Sequence, residues 1–77
     1  MYIIKKEMVE DLKSGRTVIS IAKILGMTEV MLSYILNGHR NCTTLVAKSL
    51  ICIRYNIPIT DYMVEGLIDK YFEIKGE

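Results

Sequence analysis

The side chains with the most reactive chemistry in this sequence are His39, Cys42 and Cys52, which belong to the types that bind transition metals or act as nucleophiles. A structural zinc site needs four such ligands, and no fourth ligand stands near these three. A nucleophilic cysteine needs a base that a third group orients, and no residue fits that role. We therefore expect Cys52 to be a small core residue, and we expect no metal ion, no cofactor and no enzymatic activity.

Charge is distributed unevenly along the chain, although the formal net charge is only +1. Residues 12–60 hold six basic residues against Glu29 alone, whereas residues 61–77 hold two basic residues against five acidic ones. A basic surface attracts phosphate groups. The basic centre therefore favours a nucleic-acid partner, and the small net charge argues against tight binding that ignores base sequence.

Length and composition predict a single folded domain over residues 1–77. The hydrophobic fraction of 51% makes disorder improbable, and no apolar run approaches the ~18 residues that a membrane span needs. With two cysteines and no secretory signal, the sequence is typical of a soluble protein of the reducing cytoplasm. So much apolar surface in so short a chain also suggests a dimer interface.

Hydrophobic periodicity and turn residues predict five helices and no strand, and therefore an all-α fold. The first helix is expected from about Ile3 to Lys13. The other four begin at threonines, which are good N-cap residues. They are expected at about 17–25, 28–36, 43 or 44 to 55, and 60 to 72 or 74.

Residues between the second and third predicted helices have the properties that a steep helix crossing requires. Ala22 is small enough to let two helices touch, and Gly26 accepts the positive φ of a tight turn. Thr28 caps the helix that follows, and Leu32 supplies its inward apolar side chain. The first helix of such a pair braces the second, which is then able to enter a DNA major groove.

This stretch resembles the helix-turn-helix of the lambda-repressor and Cro type, often called the Xre type. The matching features are Ala22, Gly26 four residues later, Leu32 six residues after that, and Asn37-Gly38 behind the second helix. The segment 55–63 also looks like the hinge between the family's fourth and fifth helices. The resemblance implies a compact five-helix, lambda-repressor-like domain with its helix-turn-helix at about 17–38.

The resemblance also implies which residues would meet DNA. The outward positions of the third helix would face base edges and nearby phosphates, and flanking residues would contact the backbone. The first group is Thr28, Glu29, Val30, Ser33 and Tyr34. The second group is Arg16, Lys23, His39, Arg40 and Asn41.

The predicted fifth helix has an acidic stripe and an apolar face. The acidic residues recur every four positions, at Asp61, Glu65, Asp69, Glu73 and Glu77, which is typical of a solvated face. The apolar face is wider than a small core needs, so we expect it to form a two-fold dimer seam. Its residues are Met63, Val64, Leu67, Ile68 and Tyr71.

Two functions remain open at this level. The first is a phage-type, homodimeric transcriptional regulator that occupies a double-stranded DNA operator, as Cro-like repressors do. The alternative is a phage modulator or antirepressor that uses the same fold to bind a repressor protein. Val18 and Glu29 favour the alternative because they stand where the family often has Gln, and the acidic tail favours it too.

Overall fold

Five helices form most of the protein in the computed structural model, which describes residues 1–74. The helices are α1 (Lys6–Lys13), α2 (Val18–Leu25), α3 (Glu29–Leu36), α4 (Thr44–Tyr55) and α5 (Met63–Tyr71). Two short strands, β1 (Tyr2–Ile4) and β2 (Phe72–Ile74), stand at the two ends of this series. Helix α4 packs against α1, α2, α5 and β1, so it is the central element of the fold.

Threonine hydroxyls cap the three central helices, as the sequence predicts. The side chains of Thr17, Thr28 and Thr43 each accept a hydrogen bond from the backbone N–H three residues later, at 3.1, 3.1 and 3.3 Å. Each bond satisfies an amide that has no partner inside its helix. These local hydrogen bonds explain why the starts of α2, α3 and α4 can be predicted from the sequence.

The two strands correct the all-α prediction. β1 pairs antiparallel with β2, with Ile3 opposite Glu73, and on its other side Tyr2 exchanges backbone hydrogen bonds of 2.9 and 2.8 Å with Cys42. Helix α1 therefore begins at Lys6 and not at Ile3, and α5 ends at Tyr71. Strands of three residues are too short to show an alternating pattern, and here they form because the two ends of the described chain meet.

Helix α5 also begins later than predicted. Thr60 does not cap it, because the chain first makes a turn in which the Asp61 N–H donates to the Pro58 carbonyl oxygen at 3.0 Å. The Asp61 carboxylate then accepts from the backbone N–H of Met63 at 2.9 Å, and the helix starts there.

A single apolar core joins all seven elements, and residues 1–74 bury no polar or charged residue. Val64 and Ile68 of the predicted dimer seam are part of this core. They are inward-facing residues of the single chain, so they do not line a surface open to a second copy. The other core residues are Ile4, Met8, Leu12, Ile21, Ala22, Leu32, Ile35, Leu36, Cys42, Ala47, Leu50, Ile51 and Phe72.

Within residues 1–74, no single helix is long and apolar enough to cross a membrane.

Candidate nucleic-acid interface

Helices α2 and α3 meet at 107° across a three-residue connection. Gly26 makes this turn with a φ of +71°. Its N–H donates to the Lys23 carbonyl oxygen at 3.2 Å, and the N–H of Met27 donates to that of Ala22 at 3.1 Å. These two bonds form a Schellman motif, which ends a helix at a left-handed residue. The turn therefore fixes the direction in which α3 leaves α2.

The first turns of α3 present an open outer face. Val30 and Tyr34 are 63% and 51% exposed, and Glu29 and Thr28 are exposed beside them. Ser33, the fifth residue predicted for this face, is half-buried. The opposite side of the helix is anchored in the core by its buried side chains, which are Leu32, Ile35 and Leu36.

Two exposed apolar side chains of α2 and α3 were not assigned to the site from the sequence. Met31 is exposed, and because it lies three residues before Tyr34 it shares that side of α3. Ile19 of α2 is also exposed, whereas its neighbour Val18 is half-buried against the core. Helical spacing relative to Tyr34 was the signal that could have identified Met31.

Most of the residues predicted to contact the DNA backbone lie on the surface. Lys23 is exposed on α2, and His39, Arg40 and Asn41 are exposed in the connection between α3 and α4. Arg16 is different, because the residue is half-buried and its guanidinium donates to the carbonyl oxygen of Ile53 in α4 at 3.0 Å. Arg16 therefore serves first to fasten the chain before α2 to α4, which the sequence did not suggest.

The electrostatic surroundings of the helix starts differ. The first turns of α2 and α4 carry no acidic residue, whereas the first turn of α3 carries Glu29. Among residues 1–74 one ion pair forms, between Arg54 and Asp11 at 3.3 Å. Arg54 is thus partly neutralised, whereas Lys23 and Arg40 are exposed and form no ion pair among residues 1–74.

The cysteines have structural surroundings. Cys42 is buried, its Sγ lies 3.4 Å from the carbonyl oxygen of Tyr2 in donor geometry, and burial raises the pKa of its thiol to about 11. Burial, and to a lesser extent the Asp61 carboxylate, raises the pKa of the half-buried Cys52 thiol. In the part of the chain that the structure describes, no three His, Cys, Asp or Glu side chains lie together in a way that could hold a metal ion.

The residues predicted for a dimer seam do not share one surface. Met63 is exposed, but Leu67 and Tyr71 are half-buried against the core that contains Val64 and Ile68. The Tyr71 hydroxyl lies 2.7 Å from that of Tyr55 and forms a hydrogen bond between α5 and α4. Of the acidic stripe, Glu65, Asp69 and Glu73 are exposed and Asp61 is half-buried, and Glu77 lies outside the described residues.

Comparison with protein-family models, with curated proteins and with solved structures finds no match to this chain.

Proposed function

We propose that this protein is a sequence-specific, DNA-binding transcriptional regulator of the Cro and repressor type. In this proposal α2, the turn at Gly26 and α3 form the helix-turn-helix of a lambda-repressor-like domain. The observation that carries it is the 107° angle between the two helices, combined with the open outer face of α3. Helix-turn-helix units join their helices at about 90–120°, and the second helix places its N-terminal residues in the major groove.

The exposed residues of α3 offer several kinds of base contact. Thr28 uses its oxygen to accept the capping bond, which leaves its O–H free to donate to a base or a phosphate. Val30 is placed to pack on a thymine methyl group, and Glu29 is able to accept from the amino group of cytosine. Together these contacts give readout without an arginine or lysine in α3.

Phosphate contacts would come from the residues around α3. Lys23 and Arg40 supply positive charge on the two sides of the helix pair, and Tyr34 adds a hydroxyl. The first turns of α2 and α4 carry no acidic side chain, and the N-terminus of a helix without nearby negative charge suits phosphate binding. The protein would act in the cytoplasm as a homodimer on a palindromic operator, by occupying it and not by catalysis.

One observation favours a second function, which is the binding of a repressor protein by the same surface. Ile19, Val30, Met31 and Tyr34 are all exposed on α2 and α3, and α3 contains no lysine or arginine. Aromatic and methionine side chains are enriched at protein interfaces, where charged residues are depleted. A phage modulator or antirepressor would use such a surface.

Fluorescence-anisotropy titration across a salt series separates the two functions. The protein is titrated against the duplex upstream of its own coding sequence and against a scrambled duplex of equal composition. An operator-binding regulator prefers the native duplex by at least about a hundredfold, or about 2.7 kcal/mol. Weak, equal binding that disappears near physiological salt contradicts DNA regulation and supports the protein-binding function.

A further inference from the structure

An open groove of about 570 Å³ lies between α2, α4 and the chain that follows α4. Three aliphatic side chains in its lining are unusually open to solvent, since Ile24 is 68%, Leu45 64% and Ile59 44% exposed. Arg16 also lines the groove, and among residues 1–74 it has no carboxylate partner. The groove is therefore an apolar cleft with one positive charge in its lining.

The most exposed large apolar side chain of residues 1–74 projects close to this groove. Tyr62 is 90% exposed. It follows Ile59, a groove residue, by three positions, so the two lie within about 10 Å along the chain. The hydrogen bonds that Asp61 makes to Pro58 and Met63 hold the intervening turn. Tyr62 is thus an almost fully exposed ring on a turn that hydrogen bonds hold in place, and it lies close along the chain to the open groove.

We propose that a second copy of this chain covers the groove, in a two-fold dimer in which the Tyr62 ring of each copy enters the groove of the other. A two-fold axis brings the same surface of two copies together. Because the Tyr62 ring and the groove lie side by side on each copy, one two-fold contact can place both rings in both grooves. Each chain would supply one ring and receive one ring.

Charge supports a second copy as the occupant. Glu65 is exposed one helical turn after Tyr62, whereas Arg16 lines the groove without a carboxylate partner among residues 1–74. A second copy that inserts Tyr62 therefore brings the Glu65 carboxylate toward this arginine. Two buried tyrosines remove roughly 300–500 Å² of surface from water, and the exposed aliphatic side chains of both grooves add to this toward the 1,200–2,000 Å² of a stable interface.

This dimer deepens the proposed function and rests on it, because it places the homodimer of the proposed regulator at the groove. The groove shares no residue with the outer face of α3. This dimer also differs from a dimer seam on the apolar face of α5. Self-association is measured without DNA, so a failed dimer test leaves the preference for the native duplex to be decided by the anisotropy titration alone.

Sedimentation equilibrium of the full chain, over about 1 μM to 1 mM, tests the dimer. We expect the native protein to dimerise and Tyr62→Ser to weaken the association at least tenfold. Ile74→Ser is the matched control, since it removes an exposed apolar side chain from β2, outside the groove and the outer face of α3, and should leave association unchanged. A native protein that stays monomeric throughout, or a Tyr62→Ser variant that dimerises normally, overturns the proposal. Because Tyr62 is almost fully exposed, the circular dichroism spectrum of the Tyr62→Ser variant should match that of the native chain.

A mixing experiment tests the reciprocal exchange of rings. Tyr62→Ser keeps the groove but loses the ring, and Leu45→Glu keeps the ring but places a charge at the groove. A mixture of the two restores one complete ring-in-groove contact, so the heterodimer should form at least tenfold more tightly than either variant alone. Equal association of the mixture and the separate variants, measured with one variant fluorescently labelled, contradicts the arrangement.

Discussion

Two arginines of the basic centre lie in different environments. Arg16 is half-buried and donates to the Ile53 carbonyl oxygen, whereas Arg40 is exposed in the connection between α3 and α4. A guanidinium that bonds a carbonyl within the protein stabilises packing, and an exposed guanidinium is available to a phosphate. Among these two, Arg40 is therefore the residue with which to test DNA contact.

Replacing Arg40 with alanine should weaken DNA binding similarly for all duplexes. Each phosphate contact contributes roughly one unit to the slope of log affinity against log salt concentration. We therefore expect Arg40→Ala to reduce the magnitude of that slope by about 1, as measured by anisotropy. Lys70→Ala, on the acidic helix α5, is the control and should keep the native slope. If Arg40→Ala keeps it too, Arg40 lies outside the DNA footprint.

The buried thiol of Cys42 should make the protein less stable at alkaline pH. Its pKa is raised from 9.0 to about 11 in the folded state, chiefly by burial. Folding therefore favours the protonated thiol, and this stabilisation is complete below pH 9 and is lost as the pH rises toward 11. A shift of this size corresponds to about 2–3 kcal/mol of unfolding free energy.

Urea unfolding of the native chain and of Cys42→Ala between pH 8 and 11 measures this contribution. The two proteins differ only at residue 42, so the difference between the two curves isolates the thiol. We expect the native curve to fall more steeply above pH 9. Parallel curves would mean that the Cys42 thiol does not resist ionisation in the fold.

The turn between α2 and α3 depends on the backbone conformation of one residue. Gly26 has a φ of +71°, and no atom outside its chain neighbours lies within 4 Å of where a Cβ would stand. An alanine there would fit sterically but would be forced into the left-handed region. The expected penalty for Gly26→Ala is therefore about 1–2 kcal/mol, and it comes from backbone strain alone.

Gly66 provides the matched control for Gly26. It lies within α5, and a Cβ at Gly66 also meets nothing within 4 Å. Gly66→Ala should therefore stabilise the protein by about 0.5–1 kcal/mol, because alanine favours a helix over glycine. Opposite signs in denaturant unfolding are the expected outcome. A destabilised Gly66→Ala variant, or an unaffected Gly26→Ala variant, would contradict this account.

The ends of a helix were predictable from the sequence where hydrogen bonds between near neighbours define them. Thr17, Thr28 and Gly26 act on neighbours within five residues, so the bounds of α2 and the start of α3 follow from residue type. The pairing of β1 with β2 joins residues about 70 positions apart, and nothing local indicates it. The outward residues of α3 were implied by the family resemblance, and all of them except the half-buried Ser33 are exposed. The bond from Arg16 to Ile53 crosses 37 positions and was not predictable.

At the scale of the whole molecule, one hydrophobic core stabilises the elements that carry every surface. A chain of 77 residues is expected to have an unfolding free energy of only about 4–12 kcal/mol. The inward side of α5 contributes Val64 and Ile68 to that core. The packing of α5 against α4 therefore belongs to the stability of each chain, and an interface between chains has to use other residues.

Val64→Ala tests this assignment, with Val30→Ala as a matched control. Val64 is 1% exposed, so losing two methyl groups there should lower the unfolding free energy by about 2–3 kcal/mol, through lost burial and an unfilled cavity. Val30 is 63% exposed on α3, and its replacement should change stability by less than about 0.5 kcal/mol. The Val64→Ala effect should be the same at every protein concentration, because the contact lies within one chain. If urea unfolding shows a loss that grows with protein concentration, Val64 contributes to an interface between chains, and the dimer seam lies on α5 instead of at the groove.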